Sequence, residues 1–571
     1  MTVAVTAAPR RAAAGPDRRP SAERLLRVGW ALVVVALVGY PIALVFGQSF
    51  LGEDGGLSLG NYAVLGTEPL LLEATLNSLW VAVGTSAGSL LLGMPIAWLV
   101  VRTDMPLKGF FRASALLTFA APSFIAALGW ILLLGPSSGV LNHALMAVFG
   151  LQEAPFDIFT PWGIIFVLAL FLYPLVFLPV AASLEGIDPA MEHAASGLGA
   201  SRLRVLCTVT FPLVLPSMVA GTILVFVTSF VIFGPVALLG APAQFQTIPT
   251  VLLTLMNFPP RIEVAAVVSV PVLALVAVLL LVQRTLVGRR RFTVIGGKPG
   301  RQEVVRLGAY TPLALALCSL VLLLSIILPF GILLATSMRR AIGLPFGPDN
   351  IVLTQNYADV FGQPRVAAAM GNSFALALGG TAGALVVAVV ASWLVHRTRA
   401  RSNGLVGPVM AAPLAFPGAI LGIGIIIAYA GVPFGLGGTL LILLIGYIGN
   451  ALPLTYAYVH AGMGQIGPEA EEASRSLGAP WLRTTSRITV PLLRPSLLAA
   501  ALLNFVLLFR ELELSVFLYT GANPTIATVL YGFANESRYQ LAGALSVVVL
   551  TINIGVTLLA VRLLGRRLST E

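Results

Sequence analysis

Apolar runs of about twenty residues or more alternate with short polar segments along almost the whole chain. Twelve runs stand out, at 28–49, 76–101, 111–135, 162–183, 213–239, 263–287, 310–336, 371–396, 405–431, 437–460, 491–516 and 540–564. A membrane-spanning helix needs about 20 mostly apolar residues. In lipid, only an element that satisfies its own backbone hydrogen bonds can cross. The pattern therefore predicts an all-α, multi-pass membrane protein. The borders are least defined in the Gly- and Pro-rich stretch 405–460. Composition agrees: 58% of the 571 residues are hydrophobic and 10% charged, whereas soluble domains are about half apolar and a quarter charged.

Charge gives the expected orientation. With both termini inside, twelve spans leave only Arg261, Arg339, Arg340, Arg365, Arg510 and Arg538 of the 34 Lys and Arg on the outer side. This is the positive-inside distribution, so the net charge of +11 reflects topology and anionic lipid. No basic patch is interleaved with aromatics, which argues against a nucleic-acid partner. Residues 1–27 read as a basic arm on the inner side, followed by a first span rather than a cleaved signal.

The chain is written twice. Asn61-Tyr62 recurs as Asn356-Tyr357, Asn77-Ser78 as Asn372-Ser373, Ala97–Thr103 as Ser392–Thr398, Pro122 as Pro417 and Gly129 as Gly424, all 295 residues apart. From Pro174/Pro453 to Ser217/Ser496 the spacing is 279, so the first unit carries 16 extra residues near 135–160. The units are 28–287 and 310–571, joined by a linker at 288–309. Each holds six spans. Six is even, so the two insert in the same direction as a parallel repeat.

The strongest repeated feature is polar. "EHAASGLGASRLRVLCTVTFPLVLPS", Glu192–Ser217, and "EEASRSLGAPWLRTTSRITVPLLRPS", Glu471–Ser496, share 12 of 26 residues. Asp188-Pro189 and Gly467-Pro468 start a helix. Glu192 and Glu471 suit its first turn, and Gly199 and Gly478 can end it in a left-handed conformation. A second short helix follows, to Pro212 and Pro491. Leu198, Leu203, Leu477 and Leu482 then have no membrane to enter, which suits a groove on a soluble partner.

Glu-Ala-Ala-x-x-x-Gly with a β-branched residue ten positions on and Pro three further resembles the coupling-loop motif of ABC importer permeases. The match is Glu472-Ala473-Ser474, Gly478, Ile488 and Pro491 in the second unit. In the first it is His193-Ala194-Ala195, Gly199, Val209 and Pro212, with His193 where the motif has glutamate and Glu192 as the neighbouring substitute. The fused layout is similar to iron(III) permeases, with thiamine, phosphonate and polyamine permeases as near relatives. The resemblance implies a bacterial plasma-membrane permease with cytoplasmic termini. It also implies two ATPase subunits, one under each coupling loop, and an external substrate-binding protein. The chain would hold no cofactor, ATP and Mg residing on the ATPases. A parallel six-plus-six layout also describes secondary transporters of the major facilitator type, but that reading gives the two loops no task.

Nothing in the chain suggests catalysis of its own. Gly296-Gly297-Lys298 lacks the Ser or Thr of a phosphate loop, Pro299 standing there, and no strand precedes it. His143, His193, His396 and His460 are scattered and lack metal-ligand spacing. Cys207 and Cys318 make no disulfide framework. Asn77 and Asn372 are expected to cap or bond between helices, and Pro122 and Pro417 to kink the third span of each unit and shape a central cavity. Arg510, Glu511 and Glu513 interrupt an apolar run. Ionisable residues there usually face a pathway or a partner. Two readings stand: they line a transport pathway with partners in the first unit, or they have emerged at the outer interface and dock the binding protein.

Overall fold

A computed structural model describes residues 20–52, 56–288, 304–344, 347–398 and 400–568. Most of the basic arm, and residues 289–303 of the linker with Gly296-Gly297-Lys298, lie outside them. The described chain is helical throughout, with three isolated bridges. Among the described residues nine helices are long and apolar enough to cross a membrane, and twelve spans result if each of three bent pairs counts as one.

Two of the bent pairs are the third spans. Lys108–Ala120 meets Ser123–Leu134 at 98°, and Asn403–Ala415 meets Gly418–Ala430 at 100°. The runs 111–135 and 405–431 are thus not straight helices. Pro122 and Pro417 sit at the turns with extended backbone. A proline donates no N–H and disfavours helix in the residue before it, so the bend falls where the expected kinks were, but far more sharply.

Prolines also explain four of the five wide helical turns among the described residues. Five-residue π turns at Val35–Gly39, Leu206–Thr210, Leu323–Ile327 and Thr485–Thr489 each end two residues before a proline: Pro41, Pro212, Pro329 and Pro491. A wider turn accommodates both the missing donor and the ring's pressure on the preceding carbonyl.

The first helix of each sequence unit packs across onto the other. Arg24–Ser49 lies on the second unit, where Arg27 donates to Thr398 and Ser402, each at 2.9 Å. Gly308–Ser337 lies on the first unit, with Ala314, Cys318 and Val321 in a cluster of first-unit side chains. The repeated glycines permit this crossing. A Cβ on Gly129 would lie 2.3 Å from the Pro329 carbonyl oxygen, and one on Gly424 would lie 2.9 Å from that of Pro41. The 28–287 and 310–571 units of sequence are therefore interlocked in space.

The repeated polar residues hold the ends of helices. Asn356 donates to the carbonyls of Ser337 (2.9 Å) and Arg339 (2.8 Å), and Asn61 to that of Leu51 (2.6 Å). Tyr62 and Tyr357 meet Ser49 and Ser337 at 2.9 and 2.8 Å. Asn77 and Asn372 donate to the carbonyls of Gln246 and Pro524, and Ser78 and Ser373 accept from Ile248 and Ile526 N–H, all at 2.9 Å. Each Asn-Ser pair thus caps a short helix, Ile248–Met256 or Ile526–Asn535, as the capping expectation required.

Candidate functional site

The two repeated polar segments fold alike. Asp188 caps the helix Pro189–Gly197 by accepting from Ala190 N–H at 2.9 Å. The second segment begins its helix at Glu469 and runs to Ser476. Gly199 and Gly478 have φ of +85° and +79°, the left-handed conformation expected of them. Each loop then enters a short helical turn and the π turn before the next span. In the second unit that entry bends by 67° at Leu493.

Within each loop one carboxylate is buried. Glu192 pairs with Arg102, the last residue of the long helix Pro69–Arg102, and accepts from Thr210 Oγ1 at 2.6 Å. Glu471 accepts from Arg397 Nε at 3.0 Å and Thr489 Oγ1 at 2.9 Å, Arg397 being the last residue of Pro364–Arg397. Arg397 also donates to the Ile466 carbonyl at 3.0 Å. The carboxylate sits in the first turn of its helix, where the dipole favours it, and its charge is matched by a guanidinium. Each short helix is thereby tied to two spans at once.

This arrangement resolves the irregular motif. His193 and Glu472 occupy equivalent positions, and both are exposed, as are Ala194 and Ala473. The anchoring carboxylate is the preceding residue in both loops, so His193 does not replace it. Leu198 and Leu477 project into solvent, 90% and 89% exposed. The side chains of Leu203 and Leu482 lie outside the described ones. Arg102, Arg397, Thr210 and Thr489 were not singled out from the sequence. Their signal was there: each recurs at the spacing of its repeat.

Arg510, Glu511 and Glu513 stand at a break. The helix Arg494–Phe509 ends before Arg510, and the chain becomes helical again over Glu513–Leu518. Partners in the first unit are found, but they are main-chain groups. Arg510 donates to the carbonyls of Phe119 (3.3 Å), Ala120 (3.0 Å) and Ala121. Glu513 accepts from Phe233 N–H at 3.3 Å. Glu511 stays within its own unit, accepting from Leu514 N–H at 2.9 Å and from Asn450 at 3.4 Å.

Two of the scattered histidines meet in space. His396 Nε2 and His460 Nδ1 are 3.2 Å apart, beside the Arg397 anchor. Among the described residues no group of three or more His, Cys, Asp or Glu could hold a metal.

Two segments, 89–292 and 384–570, match the family described as binding-protein-dependent transport system inner membrane component. The chain belongs to this family. The permease carries the family domain twice, once per repeat, with one anchored loop in each. It is 27% identical to a probable ABC transporter permease of Sinorhizobium fredii, over 95% of this chain and 96% of that one. It is 24% identical to a ferric transport system permease of Actinobacillus pleuropneumoniae, over 92% and 76%. A spermidine/putrescine transport system permease of Salmonella typhimurium is 31% identical over 37% of this permease and 75% of its own length.

Proposed function

We propose that this permease forms the membrane portion of an ABC importer for ferric iron. Its two anchored loops face the cytoplasm and each docks one ATPase subunit. Both termini lie on that side, and a substrate-binding protein delivers cargo from the other. ATP and Mg reside on the ATPases, and the permease itself holds no cofactor and catalyses no reaction.

The observation that carries this reading is the duplicated anchor. A loop that only joined two spans would need no buried carboxylate tied to both. Here Arg102–Glu192–Thr210 and Arg397–Glu471–Thr489 make each short helix rigid with the spans on either side. The exposed faces, with His193, Leu198, Glu472 and Leu477, remain for a partner. A push on the short helix reaches both spans. The iron assignment rests on the ferric relative, whose likeness runs through 92% of this chain, against 37% for the polyamine relative.

The test is a mild-detergent pull-down of the tagged permease from its host, read by mass spectrometry of proteins and bound metals. The native chain should bring down an ATPase, and Leu198→Asp with Leu477→Asp should lose it while remaining folded. A binding protein that comes with the complex should carry iron. An organic ligand there would replace the iron reading with one of the other substrate classes. A native pull-down without an ATPase, repeated after crosslinking, would sink the importer reading and favour an ion-coupled transporter.

A further inference from the structure

The break at 510–512 belongs to the fold, because the first unit breaks at the same place. Its helix Phe211–Val231 stops before Ile232, and a short helix follows over Gly234–Gly240. There the positions equivalent to Arg510, Glu511 and Glu513 are Val231, Ile232 and Gly234. The charges are therefore an addition to a break that forms without them.

The added charges serve the opposite unit. A helix that stops leaves carbonyls without partners at its C-terminal end and N–H groups without partners at an N-terminal end. In an apolar medium such groups are costly. The second unit closes its own third-span break with a tight turn at Ala412–Ala415, where Phe416 N–H reaches the Pro413 carbonyl at 3.0 Å. In the first unit the carbonyls at the break, Phe119 to Ala121, are held by Arg510. At the other end of the same segment, Glu513 accepts from Phe233 N–H in the first-unit break. Its Cβ also packs against Gly418, beside the turn of the second-unit third span, where an added Cβ would lie 3.1 Å away. One four-residue segment thus touches the breaks of both units. It lies about 24 Å along the helix that rises from the second loop, against a hydrocarbon core about 30 Å thick.

Room for the first-unit turn to move is already present. A cavity of about 110 Å³ borders it, lined by Leu117, Ala120, Ala121, Ile326, Phe330 and Asn553, among others. Asn553 is 2% exposed and its carboxamide has no hydrogen-bond partner. It offers a donor in the same cavity as the carbonyls Arg510 now holds.

We infer that Arg510 and Glu513 form a lock that keeps the two units closed on each other across the outer part of the membrane. The lock grips main-chain groups of broken helices, so it senses the geometry of the break rather than a side chain of the first unit. When the units part, Arg510 releases the carbonyls of Phe119, Ala120 and Ala121. Glu511, which bonds only within its own unit, holds the gripping segment in shape. This inference rests on the permease reading, and its test needs neither the ATPase nor the cargo.

The test uses the full-length chain in lipid nanodiscs, with Cys207→Ser and Cys318→Ala, and one new cysteine at Leu512, which is 4% exposed between the two grips. Labelling of Leu512→Cys by a bulky water-soluble maleimide reads opening. A second chain with Ala377→Cys, a fully buried site in the second unit, reads general loosening. Arg510→Met should speed labelling at 512 at least tenfold and leave 377 protected. Glu513→Met should do the same and carries the test if Arg510→Met fails to fold. Unchanged labelling at 512 in a folded variant would overturn the lock, and so would faster labelling at both sites, which would make the charges merely structural. Loss of the ATPase from the pull-down would leave this result untouched, so the two readings fail separately.

Discussion

The two units share a plan and differ in what fills it. A set of polar side chains that close helix ends or anchor the loops is carried by both units: Asn61 and Asn356, Ser78 and Ser373, Arg102–Glu192–Thr210 and Arg397–Glu471–Thr489. Within the span interiors they diverge. Tyr447 meets Ser515 at 2.7 Å, Asn504 donates to Thr455 at 2.7 Å, and Asn450 reaches Glu511. The equivalents of these residues in the first unit are Leu168, Val236, Val225, Val176, Phe171 and Ile232. His396 and His460 likewise replace Val101 and Ala181. Duplication kept polar groups that the backbone requires, and these three side-chain pairs between spans occur in the second unit with apolar equivalents in the first. The shared set belongs to architecture and coupling, and the unshared set to whatever makes this permease asymmetric.

The sharpest way to break that comparison is at the anchors, because there the units should respond equally. Glu192→Ala and Glu471→Ala each leave a buried arginine without its carboxylate. Removing one partner of a buried ion pair costs about 3–5 kcal/mol. Hydrogen exchange should therefore rise by similar factors in the helices 189–197 and 469–476, each in its own variant, and ATPase recovery should fall in both. His193→Glu, which changes an exposed side chain, should leave exchange in its loop nearly unaltered. If only one anchor mattered, the loops would not be equivalent couplers and the duplicated geometry would have lost its meaning.

A smaller and equally symmetric effect is expected at the caps. Ser78→Ala and Ser373→Ala each remove the acceptor for the first N–H of a buried short helix, Ile248 or Ile526. Loss of an N-terminal cap costs roughly 1 kcal/mol. Thermal melts of the two variants in the same lipid should shift down together, by about a degree. A shift in one alone would show that one short helix bears on stability and the other does not.

The comparison also marks where the sequence was legible. Long apolar runs give the spans because lipid leaves a helix few alternatives. Residues recurring at 295 or 279 positions give the repeat and its loops. The same recurrence in Arg102/Arg397 and Thr210/Thr489 held the anchors, although an arginine at the end of an apolar run reads first as a topology signal. The 98° and 100° bends were only half visible, since Pro122 and Pro417 mark a break without setting its angle. The crossing of the first helices was not visible. It depends on which surface faces Gly129 and Gly424, a tertiary fact that leaves two glycines as its trace. Arg510 was noticed for its charge, but no pattern could reveal that its partners are carbonyls, because every residue has one.

The subtlest difference between the units can be erased. Asn504 and Thr455 bond to each other inside the second unit, where the first has Val225 and Val176. Hydrogen bonds between membrane helices are worth about 0.6 kcal/mol on average. The single change Asn504→Val strands the Thr455 hydroxyl only partly, because that hydroxyl already donates to the Ala451 carbonyl at 2.7 Å. It should therefore cost about 1 kcal/mol or less. Adding Thr455→Val copies the first unit's solution and should recover most of that loss, since replacing both partners by apolar groups of similar shape is nearly neutral. Melts of the two single variants and the double variant would give the coupling directly. Recovery in the double variant would mean that this pair is a tolerated alternative to the valines. A double variant less stable than either single would mean that the second unit's interior is built around its polar contacts, and that the asymmetry reaches beyond Arg510, Glu511 and Glu513.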